Sequence, residues 1–237
     1  FTDSPAQVTF LVQEGLARPG QLTCLGHGSS GGVDLTRFRS GDRIEAAAEL
    51  RSRLGISPDQ AVVLFVGRLN PDKGVPELLT AYRALRARGV KLTLVLLGDW
   101  EEGERPDLLD PGLRWPGFVH DLEFYYRGSD LLCLPSHREG LSVSVMEAAA
   151  CELPTVGTDI PGIREVVQDG ETGWTVPVGD ARALERALES ALAEGPARIA
   201  RGKAARRLIE ERYDGAKVAE ALRAEYLLLV GARPTNG

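Results

Sequence analysis

The chain has 237 residues, 43% of them hydrophobic, enough for an ordinary globular core, so one large domain or one domain with an appended helical tail is expected rather than disorder. Its 28 basic and 34 acidic side chains leave a net charge of −6, which argues against general electrostatic capture of nucleic acid and requires any anion to be held by a local pocket. Three cysteines set among apolar neighbours, with no CxxC pair and only His27, His120 and His137 as histidines, lack the usual zinc spacings and point to reduced core thiols in a cytoplasmic protein without a catalytic metal.

The chain begins at Phe1 in mid-helical pattern, with a helix expected from Pro5 to Leu16, so a fragment of a longer protein is the expectation. Neither a secretion signal nor an apolar run of the ~20 residues needed to cross a bilayer is present. Short runs rich in Val and Leu follow at 21–25, 61–66, 91–97, 130–135 and 153–157. They lack polar alternation and are predicted to be strands buried on both faces. Helical patterns lie between them at Arg43 to Leu54, Pro76 to Arg88, weakly at Leu122 to Arg127, and at Ser142 to Cys151. Alternation of strand and helix predicts a parallel α/β sheet. From Asp180 onward the pattern is almost continuous helix, carrying a basic cluster of Arg198, Arg201, Lys203, Arg206 and Arg207. That cluster fits contact with anionic lipid, but alternating charge on a solvated helix is the favoured reading.

Parallel sheets bind ligands in the crevice at the carboxyl ends of their strands, so the loops there are where chemistry is sought. The loop GHGSSGGVD places Gly26, Gly28 and Gly31 in a GxGxxG pattern. A dinucleotide fingerprint needs a helix opening at its third glycine, and none is signalled, so an NAD or epimerase-type reading is the minor alternative. In VGRLNPDKG, Gly67 ends a strand and Arg68 and Lys73 sit in a strand-to-helix turn. A rigid guanidinium fork beside a mobile ammonium suits a diphosphate whose charge grows as it leaves, although both residues also fit an ordinary surface turn.

The stretch after 130–135 is the most informative. Glu139 precedes a helix whose first turn, Gly140, Leu141, Ser142 and Val143, is expected to offer free backbone N–H groups to an anion. Glu147 lies eight positions beyond Glu139. At the rise of a helix this is roughly 12 Å, about the span from a sugar ring to a ribose across a pyrophosphate. Carboxylates accept hydrogen bonds only, which suits paired hydroxyls. The blander expectation makes Glu139 a helix-start charge and Glu147 an exposed mid-helix residue.

GRLNPDKG at 67–74 and PSHREGLSVSVMEAAACELPTVGTDIPGIREVVQDGETGWTVP at 135–177 resemble the carboxy-terminal domain of family 4 glycosyltransferases of the GT-B fold. GHGSSGGVDLTRF is similar to bacterial enzymes that build surface polysaccharides on lipid carriers, except that Gly31 stands where that group usually has Asn. The resemblance implies a Rossmann-like donor domain over residues 21–215. Residues 1–20 would be the end of a missing acceptor domain or an interdomain linker, and 216–237 a final helix packing toward that domain. It also implies retaining, metal-independent transfer from a nucleoside diphosphate sugar, with UDP or a UDP-sugar as the ligand and no cofactor. A glycan or lipid-linked acceptor and a peripheral membrane contact complete the expectation. Residue by residue, it assigns the phosphates to Arg68 and Lys73 beside Gly67, the donor sugar to Glu139 and the ribose to Glu147. The diphosphate or sugar falls to Gly140 and the amides of Leu141, Ser142 and Val143, and the base to the loop at 118–121, which includes Val119 and His120. A non-catalytic nucleotide-sugar-binding module is the remaining alternative.

Overall fold

The computed structural model describes residues 1–28, 31–103, 105–106 and 109–231. Helix α1 (Pro5–Gln13) starts at Ser4, whose side chain accepts from the Gln7 amide. Helix α2 (Arg43–Leu54) is capped at one end by Asp42, which accepts from the amides of Ile44 and Glu45, and at the other by Gly55 in the left-handed region. Strand β1 (Ala61–Val66) leads through a 3-10 turn (Pro71–Lys73) into α3 (Val75–Ala87), and β2 (Leu92–Leu97) and β3 (Leu113–Gly117) follow. Then come α4 (Leu122–Gly128), β4 (Leu131–Leu134), α5 (Val143–Ala150), β5 (Thr155–Thr158), α6 (Pro161–Arg164) and β6 (Gly173–Val176). Helices α7 (Ala181–Ala193), α8 (Gly195–Arg212) and α9 (Gly215–Gly231) end the chain.

The six strands form one parallel sheet in the order β3-β2-β1-β4-β5-β6. Its central strands β1 and β4 are wholly apolar because helices cover both faces, and β2 and β4 are buried along their full length. Helix α3 buries Val75, Leu78, Leu79, Tyr82 and Leu85 along one stripe, and α7 buries Leu184, Leu188 and Ala191 at helical spacing. The order reverses between β1 and β4, so the crevice for a ligand opens where the loops after these two strands diverge.

Several sequence expectations are corrected here. The run at 21–25 forms no strand and only one bridge, Cys24 to Thr2, outside the six-stranded sheet. Helix α1 ends at Gln13 rather than Leu16, where Gly15 takes a positive φ of 70° and the Leu16 and Ala17 amides fold back onto Leu11 O. The edge strands β3 and β6 and the short α6 carry no clear apolar run, and β3 contains Pro116, which a single-neighbour edge tolerates. The basic cluster on α8 is split, with Lys203 and Arg207 exposed as a solvated helix face requires and its other three members engaged. Arg198, Arg201 and Arg206 turn inward, donating to the carbonyls of Leu192, Gly170 and Ala150 respectively.

Candidate functional site

The loop after β1 is laced to the loop after β2. Gly67 N donates to Leu97 O at 3.0 Å, Leu69 N to Asp99 O at 2.8 Å and Glu101 N to Leu69 O at 3.0 Å. The approach is so close that a Cβ on Gly98 would sit 2.1 Å from Gly67 O. Asn70 accepts from the Lys73 amide at 3.0 Å, which closes the 3-10 turn, and donates to Glu101 Oε2 at 2.6 Å. The same carboxylate receives Arg68 at 3.0 and 3.2 Å, while the Arg68 side chain remains 68% exposed.

The loop after β4 meets this one edge to edge. Gly74 takes a φ of 70°, and a Cβ there would lie 2.0 Å from Pro135 O. Lys73 Nζ donates to Glu139 Oε1 at 2.7 Å, in a pair whose side chains are only 21% and 11% exposed. Ser136 donates to the same oxygen at 2.8 Å. His137 and Arg138 strengthen the seam. The His137 amide donates to Asp72 O at 2.8 Å, its ring meets Glu77 at 3.0 Å, and Arg138 pairs with Asp72, whose carboxyl this guanidinium holds below its ordinary range.

Helix α5 begins at Val143, so Gly140 and Leu141 precede it rather than forming its first turn. Ser142 is buried and its amide donates to Gly162 O at 3.3 Å, so of the expected free amides this one is already engaged. The amides of Leu141 and Val143 carry no partner among the described residues. With Glu139 ahead of the helix, the ~12 Å derived from helical rise between the two glutamates does not apply. The loop rests on α6, where a Cβ at Gly162 would fall 2.2 Å from Gly140 O and 2.5 Å from Glu139 O.

Glu147 is not an exposed mid-helix residue. It is half-buried and accepts from the hydroxyl of Tyr126, itself fully buried, at 3.1 Å. Burial pushes the Glu147 carboxyl above its ordinary range, against the opposing pull of the Tyr126 hydrogen bond and of Arg37. Arg37 bridges Glu123 at 3.0 Å and donates to the His120 carbonyl at 2.5 Å, so that carbonyl of the expected base-contacting loop is occupied. The backbone amide and carbonyl of Val119 make no hydrogen bond among the described residues. A cavity of about 460 Å³ lies at the ends of β1, β2 and β3, walled by Gly67, Arg68, Trp100, Phe118, Val119 and Leu122. Leu122 stands one helical turn before Tyr126, so this cavity and Glu147 adjoin the same face of α4.

A second cavity of about 440 Å³ lies at the opposite, amino end of the strands, near Arg43, Arg51, Asp130 and Arg198. Its guanidiniums are spent on Asp130 and on the carbonyls of Cys151, Ser129, Gln60 and Ala191. The carboxyl-end cavity is therefore the candidate site. The GxGxxG loop has neither a preceding strand nor a helix opening at Gly31, and Ser29 and Ser30 lie outside the described residues. Among the described residues no group of three or more His, Cys, Asp or Glu is placed to hold a metal ion.

A family model described as glycosyl transferases group 1 matches residues 47–208. The chain belongs to this family. The group 1 chain is 27% identical over 91% of its length to the capsular polysaccharide biosynthesis glycosyltransferase CapM of Staphylococcus aureus, spanning 58% of that protein. It is 36% identical over 71% of its length to a D-inositol 3-phosphate glycosyltransferase of Rhodococcus erythropolis, spanning 40% of it, so it covers about half the length of the curated relatives it matches. A crystal structure of Anabaena Alr3699/HepE in complex with UDP and glucose superposes with a TM-score of 0.81 at 22% identity, over 95% of this chain and 61% of that one. The parallel sheet with flanking helices thus matches the GT-B glycosyltransferases in fold.

In this group 1 chain the structure unites Arg68 with Gly67 and Val119, and Lys73 with Glu139. Sequence reasoning passed over Trp100 and Glu101 in the loop after β2, Asn70 between the two cations, and Tyr126 and Arg37 around Glu147. The loop after β2 was findable, because it follows a buried parallel strand at its carboxyl end like the others. The Tyr126–Glu147 pair was not, because it joins two helices whose relative placement is set by packing.

Proposed function

We propose that the chain is the donor-binding half of a retaining, metal-independent glycosyltransferase that moves a sugar from a UDP-sugar to a glycan or lipid-linked acceptor. The observation that carries this reading is the seam of Lys73, Glu139 and Ser136 at the point where strand order reverses, with Arg68 beside a cavity on one side of it. In this reading the diphosphate lies across the seam. Arg68, Lys73 and the amides of Leu141 and Val143 take up the charge that develops as the glycosidic bond breaks, a task for fixed donors rather than a metal. Glu139 receives the sugar hydroxyls, Glu147 the ribose hydroxyls, and the free N–H and C=O of Val119 complement the imide edge of uracil.

No side chain is assigned as a covalent nucleophile. Departure and attack on one face of the sugar, shielded by the leaving diphosphate, account for retention. Acceptor binding is assigned to the part of the relatives that this chain does not span, and the unpaired cysteines suit a cytoplasmic setting. Calorimetric titration with uridine, guanosine and adenosine diphosphates tests the reading. Preferential binding of the uridine nucleotide is expected, and failure of all three to bind overturns it.

A further inference from the structure

We propose that Trp100 is a base-stacking residue, and that its indole and the Phe118 ring form an aromatic seat for the flat ring of the donor nucleobase. This rests on the donor-site reading above. Trp100 and Phe118 line the cavity at the ends of β2 and β3, with Leu97, Val119 and Leu122 completing an apolar lining suited to a flat, weakly hydrated ring.

The chain's other two indoles are already engaged. Trp115 donates to Gly98 O at 2.8 Å, and Trp174 is buried beneath the Arg201 guanidinium at 4.0 Å. Trp100 is 41% exposed and its indole N–H has no hydrogen-bond partner among the described residues. Its cationic neighbour, Arg105, stands at 6.0 Å from the ring centre. Phe118 is 66% exposed and touches His120 edge-on at 5.1 Å. Such exposure of large aromatics is costly in water and is relieved when a ring is inserted.

The backbone at Trp100 is tied to the loop after β1. It forms a parallel bridge with Leu69, and the amide after it donates to Leu69 O. The seat is therefore fixed relative to Arg68, one residue before Leu69, which is the group that takes phosphate. A platform that is pre-formed loses little freedom on binding, so the stacking contact reaches its full strength.

The test uses the full 237-residue chain. Affinities for UDP and for inorganic pyrophosphate are measured by calorimetry in the parent, Trp100→Ala and Trp100→Phe. UDP titration is also followed by tryptophan fluorescence. Trp100→Ala is expected to weaken UDP binding about 5- to 150-fold while leaving pyrophosphate binding unchanged, as loss of one stacked base requires. Trp100→Phe should retain most of the affinity but lose the quenching that UDP produces in the parent. Equal UDP affinity in Trp100→Ala and the parent overturns the proposal, as does an equal loss for pyrophosphate. If the parent binds pyrophosphate but UDP no better, the aromatic seat is refuted while the phosphate site stands. If the parent binds neither, the donor-site reading falls and takes the seat with it.

Discussion

Replacing Glu147 tests the ribose assignment, and the Tyr126 contact decides which replacement is informative. If the carboxylate accepts both ribose hydroxyls, alanine removes two charge-assisted bonds of roughly 1.5 to 3 kcal/mol each before water compensates. The net loss is then about 2 to 4 kcal/mol, or roughly 30- to 800-fold in UDP affinity. Alanine also strands the buried Tyr126 hydroxyl, at about 1 to 3 kcal/mol before the relief of the carboxylate's own desolvation, so Tm should fall by roughly 2 to 12 °C. Glutamine keeps an acceptor for Tyr126 but loses the charge, so Glu147→Gln should at least hold its Tm and still bind UDP about 10-fold more weakly. Because burial raises the Glu147 pKa, the parent's UDP affinity should drop as pH falls through that raised value, and Glu147→Gln should lack the dependence. The same shift means the folded state holds this proton more tightly than the unfolded one, so Glu147 costs stability as pH rises through the interval and Glu147→Gln removes that cost. Calorimetry and thermal unfolding across pH read all of these. Unchanged UDP affinity in a folded Glu147→Gln, with no pH dependence in the parent, refutes the assignment.

Glu101→Gln frees Arg68 from an exposed pair of about 0.2 to 1 kcal/mol, so UDP affinity should rise by roughly 1.5- to 5-fold, and a fall would show that Glu101 helps to hold the ligand. UDP binding should survive chelation, because Arg68 and Lys73 supply the charge; a loss on EDTA that magnesium or manganese restores contradicts this. The purified chain should transfer no sugar to an acceptor, since orientation of the two substrates supplies much of the rate; robust turnover would place an acceptor site within it. Gly162→Ala should displace the Glu139–Gly140 peptide it presses on and weaken UDP-sugar binding more than UDP binding. Equal affinities in parent and variant would show that the loop yields without consequence.

The sheet was legible where it is most buried. Runs such as AVVLFV and LTLVLL have one physical outcome, and their alternation with amphipathic helices fixes parallel pairing. Its edges were not, because LRWPG and GWTV have a neighbour on one side only and no periodicity sets them apart from loop. The cations and glutamates proposed for the site could be named from charge chemistry at strand ends together with the family resemblance. The partners they hold could not, since Lys73–Glu139 and Tyr126–Glu147 join residues 66 and 21 positions apart whose meeting depends on the packed sheet. Cys24 shows the opposite failure: its apolar neighbours suggested a strand, but the segment makes a single bridge to Thr2 and stays outside the sheet.

The arginine-to-carbonyl contacts at the amino ends of the strands divide the molecule into a fixed floor and an adjustable ceiling. Arg43, Arg51 and Arg198 pin helix ends and Asp130 to the floor, at the opposite end of the strands from the candidate site. Loops at the ceiling can then exchange residues, such as Trp100 or the turn at Asn70, without loosening the contacts that keep the strands aligned. A chain built this way can reshape its candidate site through substitutions at one end of its sheet while the arginine contacts at the other stay as they are.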